Sequence, residues 1–321
     1  MQALVTGAAG FIGSHIGDAL LGDGSSVIGV DSFTDYYDES IKRANLSGAL
    51  AHDDFELIEA DLTELDLAPL VEQVDVVFHQ AAQAGVRRSW GTEFSNYTRD
   101  NVAATQAVLE AVAGSRRKPR VVYASSSSVY GDADRFPTTE DDLPRPHSPY
   151  GVTKLAAEHM CRLYSANLGV HTVSLRYFTV YGPRQRPDMA FNRLCEAALG
   201  GEPFPLYGDG SQIRDFTFVA DVVAANLAAA AGDVAPGTVL NIAGGSHISM
   251  TEVIDHLGSL IGHEVPLRRE AVQLGDVRRT GGSIERARDL LGWDALTGVH
   301  DGLGLQLEHH RSHRPSVPAS P

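Results

Sequence analysis

Hydrophobic positions in the first half of the chain fall into short, nearly continuous runs, separated by longer segments where apolar residues recur every three to four positions. The runs are QALVT from residue 2, SVIGV from 26, FELIEA from 55, VDVVFH from 74, RVVYAS from 120 and VHTVSLRYF from 170. Runs without strict polar alternation suit strands covered on both faces, so the pattern predicts an α/β fold with a doubly wound parallel sheet. From Phe178 the rhythm loosens into loops rich in proline and glycine (VYGPRQRPD, YGDGSQ). It returns to one helix and strand (DVVAANLAAAA, TVLNIA) and ends in a mixed segment. The expected organisation is a large sheet layer from residues 1–177 plus about 215–243, and a smaller mixed α/β lobe from about 178–214 plus 244–310. The polar, proline-rich ending HHRSHRPSVPASP predicts a flexible tail over 311–321, and nothing orders its histidines into a metal site. No internal repeat is found.

Composition narrows the function. A chain of 321 residues, 43% of them hydrophobic, can bury the core of one large domain or two intimate lobes. The opening MQALVTGAAGFIGS carries no basic leader and runs directly into a strand-turn-helix pattern, and no apolar run approaches the roughly 18 residues of a membrane span. A cytoplasmic protein without a membrane partner is expected. Cys161 and Cys195 each fall in an amphipathic helical pattern and read as reduced thiols rather than a disulfide or metal pair. A formal charge of −15 disfavours nucleic acid and anionic membranes as partners, so an anionic ligand would need local arginines.

The first chemical motif is TGAAGFIG, with Gly7, Gly10 and Gly13 between the first strand and the first helix. Glycines are needed where the backbone turns tightly and approaches a pyrophosphate seated at a helix N-terminus, the arrangement of a Rossmann-type sheet. Asp31 ends the next strand, where a carboxylate can accept hydrogen bonds from a ribose diol and would repel a 2′-phosphate. NAD is therefore favoured over NADP. The alternative reading of Asp31 is a cap for the following segment.

The second motif is SPYGVTKLAAEH. Pro149 starts a helix, and Tyr150 and Lys154, four apart, share one of its faces. A tyrosine with a reference pKa of about 10 needs roughly three units, or about 4 kcal/mol, of preferential phenolate stabilisation to act as a base near neutrality. A neighbouring ammonium and a positive nicotinamide ring are the expected sources.

The glycine pattern, Asp31, the serine run YASSSSVYGD and the Tyr-x-x-x-Lys pair resemble the extended short-chain dehydrogenase/reductase family, in its NAD-dependent nucleotide-sugar branch. The stretches VIGVDSFTDYYD, HQAAQAGVRRS, LRYFTVYGPRQRPDMAF and YGDGSQIRDFTFVADVV are most similar to UDP-glucuronate 4-epimerases, and the resemblance reaches about Trp293. It implies a Rossmann lobe holding NAD tightly, a C-terminal lobe for a UDP-sugar, and a homodimer joined through helices near residues 96–113 and 148–167. The cofactor contacts it implies are Gly7, Gly10, Phe11, Ile12, Gly13, Asp31, Asp61, Leu62, Ala81, Ala82, Tyr150, Lys154 and Tyr177.

By the same resemblance Ser126 takes the family's catalytic Ser/Thr position, passing the sugar 4-OH proton toward Tyr150 with Lys154 beside it. Dehydratases of the family carry an Asp-Glu pair at the next two positions. Here these are Ser127 and Ser128, so reversible oxidation at C4 is the expected chemistry. Ser125 should point into the fold. Arg214, Asp276 and Arg278 fall in the nucleotide-binding segments, with the two arginines matching diphosphate and uridine contacts. Arg87 and Arg186 sit on loops that would flank the hexose, and Thr179 resembles the uronate branch rather than the galactose-type one. Guanidinium forks suit phosphate and carboxylate alike. Two positions depart from the pattern: Arg88 replaces an aromatic residue, and Ser283 replaces an aspartate, where it should still cap the next helix. The expected reaction is interconversion of UDP-glucuronate and UDP-galacturonate. A UDP-glucose 4-epimerase, a UDP-glucuronate decarboxylase and a non-catalytic NAD-binding sensor remain as alternatives.

Overall fold

The computed structural model describes residues 1–271 and 279–313. Its large sheet contains β1 (Gln2–Thr6), β2 (Ser26–Asp31), β3 (Phe55–Glu59), β4 (Val76–His79), β5 (Arg120–Ser126) and β6 (Thr172–Tyr177). The smaller lobe contributes β7 (Thr179–Tyr181), β8 (Phe204–Tyr207), β9 (Ile213–Phe218), β11 (His247–Ser249) and β12 (Leu267–Glu270), and β10 (Thr238–Ile242) returns to the large sheet. The seven large-sheet strands lie in the order β3-β2-β1-β4-β5-β6-β10, every neighbouring pair parallel. The strand order reverses between β1 and β4, the switch point at which open α/β sheets bind ligands beyond their carboxyl ends.

The helices are α1 (Phe11–Gly22), α2 (Glu39–Asn45), α3 (Ala68–Val71), α4 (Phe94–Tyr97), α5 (Ala104–Gly114), α6 (Pro149–Leu168), α7 (Ala190–Ala198), α8 (Val219–Ala231), α9 (Met250–Ile261), α10 (Glu285–Leu291) and α11 (Val299–His313). The continuous apolar runs follow from two cores. Ala3 and Val5 of β1 face one core with Ile16 and Leu20 of α1 and Val222 of α8, while Leu4 between them faces the other with Val108 and Leu109 of α5 and Cys161 of α6. Successive side chains of a strand alternate between faces, so burial on both makes most strand positions apolar and breaks the usual polar alternation.

In the smaller lobe β7, β9 and β11 form one sheet in the order β11-β9-β7, and β8 pairs with β12. All of β9 belongs to this sheet, so the chain returns to the large layer at Val219, beyond the boundary of about 215 read from the sequence. Two terminal readings change as well. α11 continues to His313, three residues into the stretch expected to be flexible, and 314–321 lie outside the described residues. Ser283 does not occupy the cap position of α10, which falls to Ile284. Its hydroxyl still accepts a bond from the Glu285 N–H at 3.4 Å, so the capping function is kept from one position earlier. Cys161 and Cys195 are buried and unpaired with each other. Among the described residues no helix is long and apolar enough to cross a membrane, and no group of His, Cys, Asp or Glu is arranged to hold a metal.

Candidate active site

A cleft of about 230 Å³ opens at the switch point. It gathers residues far apart in sequence: Gly7, Gly10, Phe11, Ile12 and Gly13 at the start of α1; Asp31 at the end of β2; Asp61 and Leu62 after β3; Ala81 and Ala82 after β4; Tyr150 and Lys154 on α6; Tyr177 at the end of β6; and Arg186 from the smaller lobe. All of the expected cofactor contacts therefore line one cavity.

The glycine turn is one that only glycine can make. Gly7 has φ +67°, and a Cβ there would meet the Ala81 backbone nitrogen at 2.8 Å. A Cβ on Gly13 would stand 2.1 Å from the Gly7 carbonyl oxygen, so only glycine lets α1 begin this close to the turn. No side chain caps α1 and no acidic residue occupies its first turn, which leaves its positive end open to a diphosphate. Asp31 is oriented by two backbone donors, Ala9 N–H at 3.0 Å and Phe33 N–H at 2.9 Å. Beside it lies the buried Lys42, which donates to the Thr34 carbonyl at 2.6 Å. Burial lowers the Lys42 pKa, opposed by the charge of Asp31.

The catalytic pair sits where α6 crosses the end of β5. Ser148 caps the helix by accepting from the Gly151 N–H at 3.1 Å, Pro149 occupies the first turn, and Gly169 ends it in the left-handed conformation. Tyr150 is half-buried on the cleft wall, near enough to the Ser126 hydroxyl to feel it. Lys154 is buried and donates from Nζ to the Ala124 carbonyl at 2.8 Å. Among this chain's own groups, burial pushes Tyr150 upward, and the neighbouring Ser126 hydroxyl and the charge of Arg186 oppose it. Burial brings Lys154 itself down to about 7, because its ammonium is removed from water with no carboxylate partner among the described residues.

Ser126 Oγ accepts from the Ser128 N–H at 3.1 Å, holding Ser127 and Ser128 in a single tight turn after β5. Ser125 is buried and points the other way, as its place on the strand requires. Thr179 opens β7, half-buried and opposite Phe216 in register. Arg186 reaches the cleft paired with Asp188, and Tyr36 joins them by a hydroxyl bond to Asp188 at 3.4 Å. Arg87 is exposed and lies over the Tyr207 ring, 4.2 Å from its centre, while Arg88 lies over Tyr36 at 4.8 Å. Arg214 is on β9, with Nη1 donating to the Ile213 carbonyl at 3.0 Å. Asp276 and Arg278 lie outside the described residues.

Several wall residues had no motif of their own. Tyr36, Tyr37 and Lys42 come from the DSFTDYYD loop and α2, and Gln80 and Gln83 follow β4. Asn101, buried in a π-helical turn between α4 and α5, accepts from Gln83 N–H at 2.8 Å and donates to Thr153 Oγ1 at 2.9 Å. It thereby joins the wall after β4 to the helix carrying Tyr150. No local pattern marks Asn101, because its two partners, Gln83 and Thr153, are brought to it only by the fold.

A parallel sheet with its glycine turn at the switch point, joined to a Tyr-x-x-x-Lys helix and a second lobe, defines a dinucleotide-binding enzyme of the extended short-chain dehydrogenase/reductase type. The chain belongs to the NAD dependent epimerase/dehydratase family, whose model matches residues 3–243. It is 42% identical over 310 residues to the Bacillus subtilis (strain 168) protein described as an uncharacterized UDP-glucose epimerase, YtcB, covering 96% of this chain and 98% of that one. It is 34% identical over 308 residues to the UDP-glucuronate 4-epimerase of Thermodesulfobacterium geofontis (strain OPF15), covering 94% and 93%. Among solved structures, the UDP-glucuronic acid 4-epimerase of Bacillus cereus in complex with UDP-glucuronic acid and NAD superposes with a TM-score of 0.93 at 39% identity, covering 97% of this chain and 99% of that one.

Proposed function

We propose that the protein is an NAD-dependent 4-epimerase of a UDP-hexose that interconverts UDP-glucuronate and UDP-galacturonate. The observation that carries this reading is Tyr150 on the wall of the glycine-turn cleft beside the end of β5, where Ser126 is followed by Ser127 and Ser128 in place of an acid. Arg186 and the similarity to a 4-epimerase solved with UDP-glucuronic acid favour the uronate.

Asp31, the glycine turn and Tyr177 would hold NAD, which when bound supplies a hydride acceptor and donor for the sugar C4. Tyr150, through or beside Ser126, takes the 4-hydroxyl proton as C4 is oxidised and returns one as C4 is reduced. Sugar and enzyme thus end with no net redox change. Burial holds Tyr150 above the ordinary phenol value against the Ser126 hydroxyl and the charge of Arg186, and the positive ring of a bound NAD would add to that opposition. Between the two half-reactions the 4-ketosugar must present its other face. Arg214 would keep hold of the diphosphate while Ser127, Ser128 and Thr179 offer short, exchangeable hydrogen bonds to the hexose. A 4-ketouronate is a β-keto acid, losing CO2 when its carboxylate stands perpendicular to the ketone. Arg186 would restrain that carboxylate.

The protein would act as a cytoplasmic homodimer. Two buried, unpaired cysteines accord with a reducing compartment. The outer face of α6, with Val152 and Leu163 exposed around Ala156 and Met160, would supply the subunit contact.

The deciding experiment is proton NMR of the purified protein with UDP-glucuronate and no added cofactor. A second, galacto-configured anomeric signal approaching equilibrium is expected. UDP-pentose as the main product would make the protein a decarboxylase, and an unchanged spectrum with UDP-glucuronate would overturn the reading.

A further inference from the structure

Tyr150, Lys154 and Glu158 follow one another at four-residue steps along α6 and so share one face. That face meets three consecutive residues at the end of β5. The start of the helix, with Tyr150, stands beside Ser126, Lys154 donates to the Ala124 carbonyl at 2.8 Å, and Ser125 Oγ donates to Glu158 Oε2 at 2.7 Å. Here β5 has lost its neighbour on one side: its pairing with β4 ends at Tyr123, while pairing with β6 continues to Ser126. The α6 contacts therefore replace a missing strand in holding residues 124–126.

Glu158 is itself held. Arg176, opposite Ser125 in the β5–β6 register, donates Nε to Oε2 at 2.9 Å and Nη2 to Oε1 at 2.6 Å. Its Nη1 reaches the Tyr130 hydroxyl at 2.7 Å, and Tyr130 donates to Asn241 Oδ1 at 2.7 Å. Glu158 and Arg176 are 1% and 4% exposed. A buried ion pair commonly stabilises a fold no better than apolar residues of the same volume, so its place directly beneath the site asks for a role beyond stability.

We propose that Glu158, locked by Arg176, is a positioning residue for the reaction: by tethering Ser125 it fixes the direction of the β5 end and with it the contact between Ser126 and Tyr150. The proposal rests on Tyr150 as the base. A displacement of about 1 Å in such a contact can cost on the order of a hundredfold in rate, which gives the tether leverage out of proportion to one hydrogen bond.

Ser125→Ala tests it, because only one buried oxygen is lost and the ion pair survives. In the holoenzyme kcat should fall by about tenfold or more with KM within twofold of wild type and NAD content and Tm unchanged. Ser125→Ala placed on Ser126→Ala should slow that variant no further. Independently of any sugar, ultraviolet titration of Tyr150, read as the difference from Tyr150→Phe, should show its midpoint raised by Ser125→Ala, since the Ser126 hydroxyl beside it is no longer held in place. A kcat within twofold of wild type with an unmoved midpoint overturns the proposal, as do effects of Ser125→Ala and Ser126→Ala that simply multiply. If the wild type turns over no UDP-sugar, the function fails, and the titration midpoint still decides the tether.

Discussion

Arg186 donates Nε to one carboxylate oxygen of Asp188 and Nη2 to the other, each at 2.9 Å, while facing the cleft that holds Tyr150. Burial works against its charge, but Asp188 keeps it protonated. A sugar carboxylate would have to share a fork that is already occupied, giving a grip strong enough to select a uronate and weak enough to release while the ketosugar turns.

Selection should therefore be measurable. A charge-assisted hydrogen bond contributes about 1.5 to 3 kcal/mol, so kcat/KM should favour UDP-glucuronate over UDP-glucose by roughly ten- to a hundredfold. Arg186→Ala should narrow the gap chiefly by weakening the uronate, with some UDP-pentose appearing. Equal efficiencies in the wild type would leave a neutral-hexose epimerase. A gap untouched by the substitution would move the carboxylate contact to Arg87, Ser127 or Ser128.

Tyr150→Phe removes one hydroxyl and leaves the ring packed against Tyr97, whose ring centre is 6.2 Å away. Turnover should drop by about two to four orders of magnitude, the usual reach of general acid–base catalysis, with Tm and bound NAD nearly unchanged. Activity within tenfold of wild type rejects Tyr150 as the base.

Asp31→Ala deletes the acceptor that Ala9 and Phe33 hold toward the cleft. Protein purified from cells should carry less NAD than wild type, and stripped variant should lose its preference for NAD over NADP. The readout is cofactor content by absorbance and mass spectrometry. A wild type that already prefers NADP contradicts the role of this carboxylate.

Lys154 supplies a pH signature. Its pKa falls from 10.5 in the open chain to about 7 when buried, so below about 7 it is charged in both states and the full cost of burying the ammonium is borne. Above that value the native lysine is neutral while the unfolded one still binds a proton, and the cost declines toward pH 10.5. In cofactor-free protein the stability of wild type relative to Lys154→Met should thus rise from about pH 7 upward, measured by urea denaturation at several pH values. A difference independent of pH would mean the ammonium is better solvated than its burial implies.

The amino-acid sequence by itself determined the layers and the chemistry of single motifs. Continuous apolar runs such as QALVT mark strands buried on both faces, and Gly7 and Gly13 announce a turn that no side chain can enter. Tyr150 and Lys154 are legible as a pair because helical spacing is a local property. Tertiary structure decided what depends on distant neighbours. Asp188 engages Arg186, Lys42 is buried beside Asp31, and Glu158 is clamped by Arg176 beneath Ser125. It also decided that Lys154 spends its proton donor on a backbone carbonyl and is lowered by burial, while Arg186, from the other lobe, is the charge acting on Tyr150. The reason is physical: propensity and periodicity act over a few residues, whereas desolvation and charge pairing depend on which distant segments the sheet order brings together.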